Sequence, residues 1–342
     1  MSDLNFNPNA AATENAGIFG LPFDAAQSKI IIIPVEWELT TSYGKGTAKG
    51  PAAIKSASMQ VDLHHHDYPE LWEKGIWLDE FPASLRTLHN NLLPVSEQII
   101  RAAETGELET KAADFQPLYE QIEAATVKKN EWLKARIAYW KEQGKIVGLL
   151  GGDHSIPLAF HQYLAEQQTE YGLLTVDAHL DLRNAYEGFK YSHASIFYNV
   201  IMHFNNVKKL VQVGIRDYCH EEADFANLKQ ERISVYFDRE VRKQQFEGRT
   251  WAEQVQQMVS HLPPKVYISI DIDGLDPTLC PNTGTQVPGG LKYEETIYLL
   301  NMLKESGKEI IGFDLCEVAP GNDDWDGNVG ARILFQLCGI SG

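Results

Sequence analysis

An α/β fold on a mostly parallel sheet is predicted by three observations. Short apolar runs that read as buried strands recur along the chain. Helix-length patterns sit between several of them. Three of the runs stop at polar motifs. Strand and helix alternating at this spacing favour parallel pairing, because a parallel crossover has room for a helix that covers the sheet.

The elements follow in order. Residues 1–28 read as an irregular arm, and their first nine residues are polar, without the apolar core of a signal peptide. Residues 29–35 read as the first central strand, apolar on both faces. A Gly/Thr/Ser-rich segment at 40–47 leads to Gly50-Pro51, and Pro51 suits the first turn of a helix carrying Ala52, Ala53 and Ile54. Residues 112–143, with Trp132, Leu133, Ile137 and Trp140, have the spacing of one or two amphipathic helices. Further strands are expected at 145–150, 173–176, 210–213, 233–237, 266–270 and 310–315, with helices around 252–261 and 293–305. There is no repeat, low-complexity linker or composition break, so residues 29–342 are expected to form one domain.

Composition narrows the function. The chain has 342 residues, 44% of them hydrophobic, which is enough for a sizeable core. Its formal net charge of −17 disfavours nucleic acid and anionic membrane surfaces as partners. Cys219, Cys280, Cys316 and Cys338 form no CxxC pair and read as free thiols of a reducing compartment. No apolar run approaches the roughly 20 residues that span a bilayer. A cytoplasmic protein is the expectation.

The chemistry concentrates in three motifs: Gly151-Gly152-Asp153-His154-Ser155, Asp177-Ala178-His179-Leu180-Asp181, and Ser269-Ile270-Asp271-Ile272-Asp273-Gly274-Leu275-Asp276-Pro277. In an open parallel sheet, ligands bind beyond the C-terminal ends of the strands, so motifs distant in sequence can meet at one rim. Asp177, His179 and Asp181 lie at i, i+2, i+4 and point to one side of a strand end, as do Asp271 and Asp273; His154 is the sixth ligand. Four carboxylates balance two divalent cations. Imidazole and carboxylate without thiolate suit Mn²⁺ best, with Ni²⁺, Co²⁺ or Zn²⁺ possible. Two such ions ~3.5–4 Å apart can ionise a bridging water that attacks an sp² carbon.

Plainer readings exist for each motif alone. Asp-Ala-His could cap a loop, and Gly-Gly-Asp-His-Ser could begin a helix capped by Asp153 or Ser155, with Pro157 in its first turn. Two aspartates ending a buried strand are harder to explain, since unpaired burial costs several kcal/mol. The three motifs together favour a metal site. His64-His65-His66 lacks strand context and reads as a loop; Tyr163 and Tyr171 read as core.

These motifs resemble the ureohydrolase family of arginase, agmatinase and formimidoylglutamase, from about residue 29 to residue 337. The resemblance implies a three-layer α/β/α fold around a mostly parallel sheet of about eight strands, a homotrimer or homohexamer, and a two-manganese site, with Ni²⁺ an alternative. It implies one ion on His154, Asp177, Asp181 and Asp271, and a second on Asp177, His179, Asp271 and Asp273. His193, in Tyr191-Ser192-His193-Ala194-Ser195, matches the family's proton-shuttling histidine. Glu317 matches the glutamate that grips the guanidinium. With the ligand Asp181, these are the expected catalytic residues. Asp276 is placed outside the ligand set.

The expected reaction is attack of a metal-bridging hydroxide on a small guanidino compound, releasing urea, as in agmatinase. The loop 282–291 and Ser192–Ser195 favour it. Arg183 is similar to formimidoylglutamase, where an arginine could pair with a substrate carboxylate; hydrolysis of an N-formimino amino acid to formamide is the alternative. Residues 214–222 resemble the arginase segment that contacts the substrate's α-amino group, but Cys219 replaces an aspartate. The 40–47 segment and Trp325 depart from agmatinases and are expected to reshape the pocket for a shorter guanidino compound or guanidine, with Trp325 touching substrate. A one-zinc deacetylase is disfavoured by His154 and Asp181, and a non-enzymatic metal sensor by His193 and Glu317.

Overall fold

The computed structural model describes residues 6–13 and 16–342. Among them, eight strands form one parallel sheet: β1 (Ile30–Val35), β2 (Ile76–Leu78), β3 (Ile146–Gly151), β4 (Tyr171–Val176), β5 (Val207–Ile215), β6 (Ile233–Phe237), β7 (Lys265–Asp271) and β8 (Glu309–Cys316). Their order is β2-β1-β3-β8-β7-β4-β5-β6. The helices are α1 (Gly50–Ala57), α2 (Ala83–Glu104), α3 (Glu107–Glu142), α4 (Leu158–Glu166), α5 (Ile196–His203), α6 (His220–Leu228), α7 (Asp238–Phe246), α8 (Trp251–Ser260), α9 (Tyr293–Glu305) and α10 (Trp325–Ser341).

Side-chain alternation explains the three layers. On β1, Ile30 and Ile32 join one apolar cluster while Ile31, Ile33 and Val35 join the other. On β7, Val266, Ile268 and Ile270 face the first cluster and Tyr267 the second. Helices α1 and α7–α10 supply the first layer, and α2–α6 the second. A sheet covered on both faces needs strands apolar at every position, which is why the strands read as unbroken apolar runs.

The strand expectations hold, β6 with its expected bounds and the others with boundaries shifted by up to three residues. Edge strand β2 was not expected; it has three residues, and Trp77 and Leu78 are half-buried. Nor was α2, which carries Pro94 within it, or α10. Helix α10 is buried nearly all round and so lacks the one-sided pattern that marks a surface helix. The one or two helices expected at 112–143 are one, the part of α3 that follows a backbone kink at Lys111. Within the segment read as an irregular arm, Ile18, Phe19 and Leu21 are buried against the first cluster. No helix among the described residues is long and apolar enough to cross a membrane.

The central strands β3, β8, β7 and β4 end side by side, and their ends are held by close backbone packing. The Gly152 amide donates to Val35 O (3.0 Å), and a Cβ on Gly152 would lie 1.9 Å from the carbonyl oxygen of Trp37. A Cβ on Gly274 would lie 2.5 Å from the Asp177 amide nitrogen. Neither obstacle is a movable side-chain tip. Gly152→Ala is therefore expected to destabilise the protein by about 3 kcal/mol in chemical denaturation. A change within 0.5 kcal/mol, on the order of a surface substitution, would show that the Trp37 segment can move aside.

Candidate metal centre and active site

The polar residues emerge where the four central strands stop. His154 lies three residues beyond β3, Asp177 follows β4, Asp271 closes β7, and Glu317 follows β8. Asp177, Asp271 and Asp273 each divide their two oxygens between backbone and cluster. Asp177 Oδ1 accepts from the His179 amide (2.7 Å), Asp271 Oδ1 from the Asp273 amide (2.9 Å), and Asp273 Oδ1 from the Ala178 amide (3.0 Å). The remaining oxygens face the two histidines. Arg216 braces the surrounding loops, donating to the carbonyl oxygens of Asp273 (2.6 Å) and Val287 (2.9 Å).

His154 Nδ1 lies 3.1 Å from Asp177 Oδ2, 3.1 Å from Asp181 Oδ2 and 3.3 Å from Asp271 Oδ2. His179 Nδ1 lies 3.1 Å from Asp273 Oδ2 and 3.7 Å from Asp177 Oδ1. Two groups emerge, His154/Asp177/Asp181 and Asp177/His179/Asp273, sharing Asp177. Atoms bound at roughly 2.0–2.2 Å to one divalent ion sit about 3 Å from one another, so the spacing fits a coordination shell. The donor set fits as well. Ser269 Oγ donates to Asp314 Oδ1 (2.9 Å), so in its 2.9 Å contact with His154 Nε2 the imidazole is the donor. That fixes the ring and turns Nδ1 into the carboxylates, as the outer partner of a metal-bound histidine does. Nδ1 and Asp177 Oδ2 are buried without hydrogen-bond partners. One proton on Nδ1 can serve one of three oxygens; a divalent cation serves all of them.

The electrostatics of the cluster carry the same strain. Burial, with Asp177 alongside, raises the Asp181 carboxyl to about 7. Burial and then Asp273 and Asp177 push Asp271 well above the usual range, and burial followed by Asp271 and Asp153 does so for Glu317. Burial alone would lower His179, but Asp273 and Asp177 override it and push the imidazole up to about 12. Asp273 goes the other way: burial opposes its ionisation, yet His179 holds it below the usual carboxylate range.

Two of these acids occupy the left-handed backbone region, Asp181 at φ 52° and Glu317 at φ 63°. For a non-glycine residue this costs ~1–2 kcal/mol and persists only where the surroundings enforce it. The Asp181 carbonyl accepts from the Phe197 amide (3.1 Å) at the start of α5. The Glu317 amide donates to Gly152 O (2.8 Å), its carbonyl accepts from Thr283 Oγ1 (2.7 Å), and Oε1 accepts from the His154 amide (2.9 Å).

His193 opens a short 3-10 turn before α5. Its amide donates to Thr40 Oγ1 (3.1 Å), and its Nδ1 lies 3.2 Å from the same oxygen. Thr40 donates onward to Asp153 Oδ2 (3.4 Å), which makes Nδ1 the protonated nitrogen and leaves Nε2 free. Burial is the main force lowering its pKa to about 4, so the ring is neutral near pH 7, where a free imidazole would be roughly a quarter protonated.

A cavity of about 440 Å³ joins these groups; His179, Asp181, Asp271, His193 and Glu317 line its inner part and Arg183 its wall. Ser42 and Tyr43, from the 40–47 segment, also line it, and so does Cys219. Trp325 does not: it starts α10, is 45% exposed and donates its Nε1–H to Thr278 O (2.9 Å). The expectation that it touches substrate is corrected by that placement. Asp276 caps its own turn through the Thr278 amide (2.9 Å), outside the cluster. His64–His66 form a surface loop. Sequence reading missed Glu222, which is buried and accepts from the amides of Leu182 (3.1 Å) and Cys219 (2.9 Å), tying the Asp177–Asp181 segment to α6. The detectable signal was the spacing of Cys219 and Glu222 at the N-cap and N3 positions of α6.

Comparison with known proteins agrees with this geometry. The arginase family model matches residues 15–339. The chain is 30% identical over 92% of its length to an N(1)-aminopropylagmatine ureohydrolase of Thermus thermophilus, covering 91% of that protein. It is 29% identical over 93% of its length to an agmatinase of Pyrococcus horikoshii, covering 94% of it. In fold it is similar to the agmatine ureohydrolase of Thermoplasma volcanium, with a TM-score of 0.69 at 20% identity, 96% of this chain and 95% of that one being covered.

The titration pattern gives a test with a defined sign. Asp181 is raised from 3.8 to about 7, so its contribution to folding stability is present at low pH and lost as pH rises through that window. Asp271 and Glu317 act in the same direction, and the raised His179 loses its contribution above 6.5. Cation binding gains as the ligands deprotonate. The Tm difference between divalent-loaded and chelated protein should therefore widen from about pH 5 to about pH 8. A constant or narrowing difference would contradict the assignment of these groups to a cation site.

Proposed function

The chain belongs to the arginase family, and from that premise we propose that it hydrolyses a C–N bond of a small guanidino compound, releasing urea, in the manner of agmatinase. Members of this family are hydrolases with binuclear metal centres. The observation that carries the reading is the pair of buried ligand groups sharing Asp177, with His193 and Glu317 on the same cavity. We take residues 29–342 as the catalytic domain behind the 1–28 arm, and a cytoplasmic homotrimer or homohexamer as the working assembly.

His154, Asp177, Asp181 and Asp271 would hold one ion, and Asp177, His179, Asp271 and Asp273 the other, with Mn²⁺ first and Ni²⁺ second. When bound, such ions supply Lewis acidity and bring the ionisation of a water near neutral pH. The remaining work falls to side chains. Glu317, held by its bond from the His154 amide, offers its other oxygen to the guanidinium N–H donors. That pairing offsets the burial that raises its carboxyl pKa, so substrate binding favours the ionised form. His193 begins neutral with Nε2 free; it would take there the proton that water loses on becoming hydroxide and pass it to the leaving nitrogen, which departs as the amine. Thr40 keeps the ring oriented through Nδ1.

A product assay tests this. Protein loaded with Mn²⁺, then Ni²⁺, is given agmatine, arginine, guanidinobutyrate, guanidine and formiminoglutamate. Urea from a guanidino compound is expected. Formamide from formiminoglutamate alone would replace the reading with formimidoylglutamase chemistry, and no product with either metal would refute it. His193→Ala should keep its metal content and lose turnover by about 10³-fold; retained turnover would remove the proton-transfer role.

A further inference from the structure

A buried cation lies beneath the rim of the sheet and outside the cavity. Lys129, on α3, is fully buried, and its Nζ has no hydrogen-bond partner among the described residues. Lysine is almost never fully buried unless paired, because an unpaired ammonium loses its hydration without return. Packing does not require it. The same buried stripe of α3 carries Ile122, Ala125, Leu133 and Ile137, so an apolar residue would fill the place. The Nζ stands 5.8 Å from the centre of the Trp37 ring, and the carbonyl of Trp37 accepts from the Asp153 amide (2.8 Å). Burial lowers the Lys129 ammonium to about 8, and the acidic groups that oppose this are Asp153 and then Cys316. Those two residues lie at the ends of β3 and β8, where the active-site motifs begin.

Asp153 is fully buried too, and donors converge on it. Oδ1 accepts from the Ser155 amide (3.1 Å) and hydroxyl, and Oδ2 from the Thr40 hydroxyl (3.4 Å). Acceptor-only behaviour belongs to the ionised carboxylate, which in a dry site needs a counter-charge. Thr40 Oγ1 in turn accepts from the His193 amide (3.1 Å) and faces Nδ1 at 3.2 Å. The single Thr40 proton decides the tautomer of His193. Directed at Asp153, it leaves the ring proton on Nδ1 and frees Nε2 to act as base. Directed at Nδ1, it puts the ring proton on Nε2, where the base is lost. The Thr40–Asp153 bond is long for an O–H···O contact, so its direction depends on Asp153 staying an acceptor.

We propose that Lys129 is a positioning residue for the proton transfer: it is the buried counter-ion of Asp153 in a row, Lys129–Asp153–Thr40–His193, that holds the Nδ1–H tautomer of His193. The inference rests on the ureohydrolase reading for its kinetic part and adds two residues to the machinery. With Lys129 removed, Asp153 loses its compensation and takes up a proton or turns away. Either change releases the Thr40 hydroxyl to donate to Nδ1. Lys129 touches neither substrate nor the reacting atoms, so its loss should appear in turnover and not in substrate affinity.

The test combines kinetics of urea release, metal content and chemical denaturation on metal-loaded protein. Lys129→Met, close to lysine in volume, should keep its metal, lower kcat about tenfold and leave KM nearly unchanged. Thr40→Val should lose a similar factor, and Thr40→Ser, which keeps the hydroxyl, should recover most of it. Lys129→Met with Thr40→Val should be no slower than Thr40→Val alone, because both act on the same ring. Lys129→Met should also be less stable than the wild type, and adding Asp153→Asn should restore most of that loss, because the two charges then leave together. Wild-type kcat in Lys129→Met, losses that multiply with Thr40→Val, or stability losses of Lys129→Met and Asp153→Asn that simply add would overturn the inference. If Lys129→Met does not fold, the double variant with Asp153→Asn decides the pairing: folded supports it, unfolded overturns it. No urea from the wild type would overturn the functional reading and the positioning role with it, while the stability cycle would still decide the ion pair.

Discussion

Charge compensation in a dry site is the constraint on which the rest of the structure depends. Asp177, Asp181, Asp271 and Asp273 are all buried, and His154 Nδ1 faces three of their oxygens at 3.1–3.3 Å. Removing one carboxylate from water costs several kcal/mol, and grouping four multiplies the cost through mutual repulsion. Such an arrangement persists only if cations or protons join it and the backbone cannot retreat. The strand ends supply that rigidity. A parallel sheet buried on both faces fixes its C-terminal rim, and close glycine packing at Gly152 and Gly274 removes the slack.

Rigidity also explains the divided use of each aspartate. One oxygen accepts a backbone N–H, which sets the side-chain direction and satisfies an amide beyond a strand end; the other is left for the cluster. Asp181 has no such local bond. It is placed by a left-handed backbone and by the start of α5 on its carbonyl. Glu317 is placed by three bonds at the rim of β8. Both residues carry conformational strain of ~1–2 kcal/mol that only the surrounding fold can hold.

What the sequence made legible follows from the same physics. Asp177, His179, Asp271 and Asp273 stood out because each ends an unbroken apolar run, and a run of that kind marks a central parallel strand. The layered fold was legible for the same reason. Pieces without a one-sided or terminal pattern were not: β2 is three residues at an edge, α2 contains Pro94, and α10 is buried on nearly every side. Trp325 was singled out because it departs from agmatinases, but such a departure does not place a side chain, and Trp325 starts α10 outside the cavity lining. Arg183 could be seen, but not its contact with Glu222, which comes from α6. Thr40 lay in a segment marked as unusual, while its link to His193 spans 153 residues and leaves no local trace.

These two kinds of legibility divide the cavity. The inner end is made of strand termini whose geometry cannot drift without breaking the sheet. The outer end is made of the close of α2, the Tyr119 contact from α3 and the loop carrying Arg183 and Glu187. Substitutions there leave the metal ligands in place and change only what meets the substrate's tail. A fold arranged this way can keep one hydrolytic chemistry while its tail preference changes, because helix ends and loops tolerate change that central strand ends do not. In this chain that part of the cavity carries Glu104, Glu187, Asp217 and Arg183, none of them in a metal motif. The three metal motifs therefore point to the reaction and leave the substrate open.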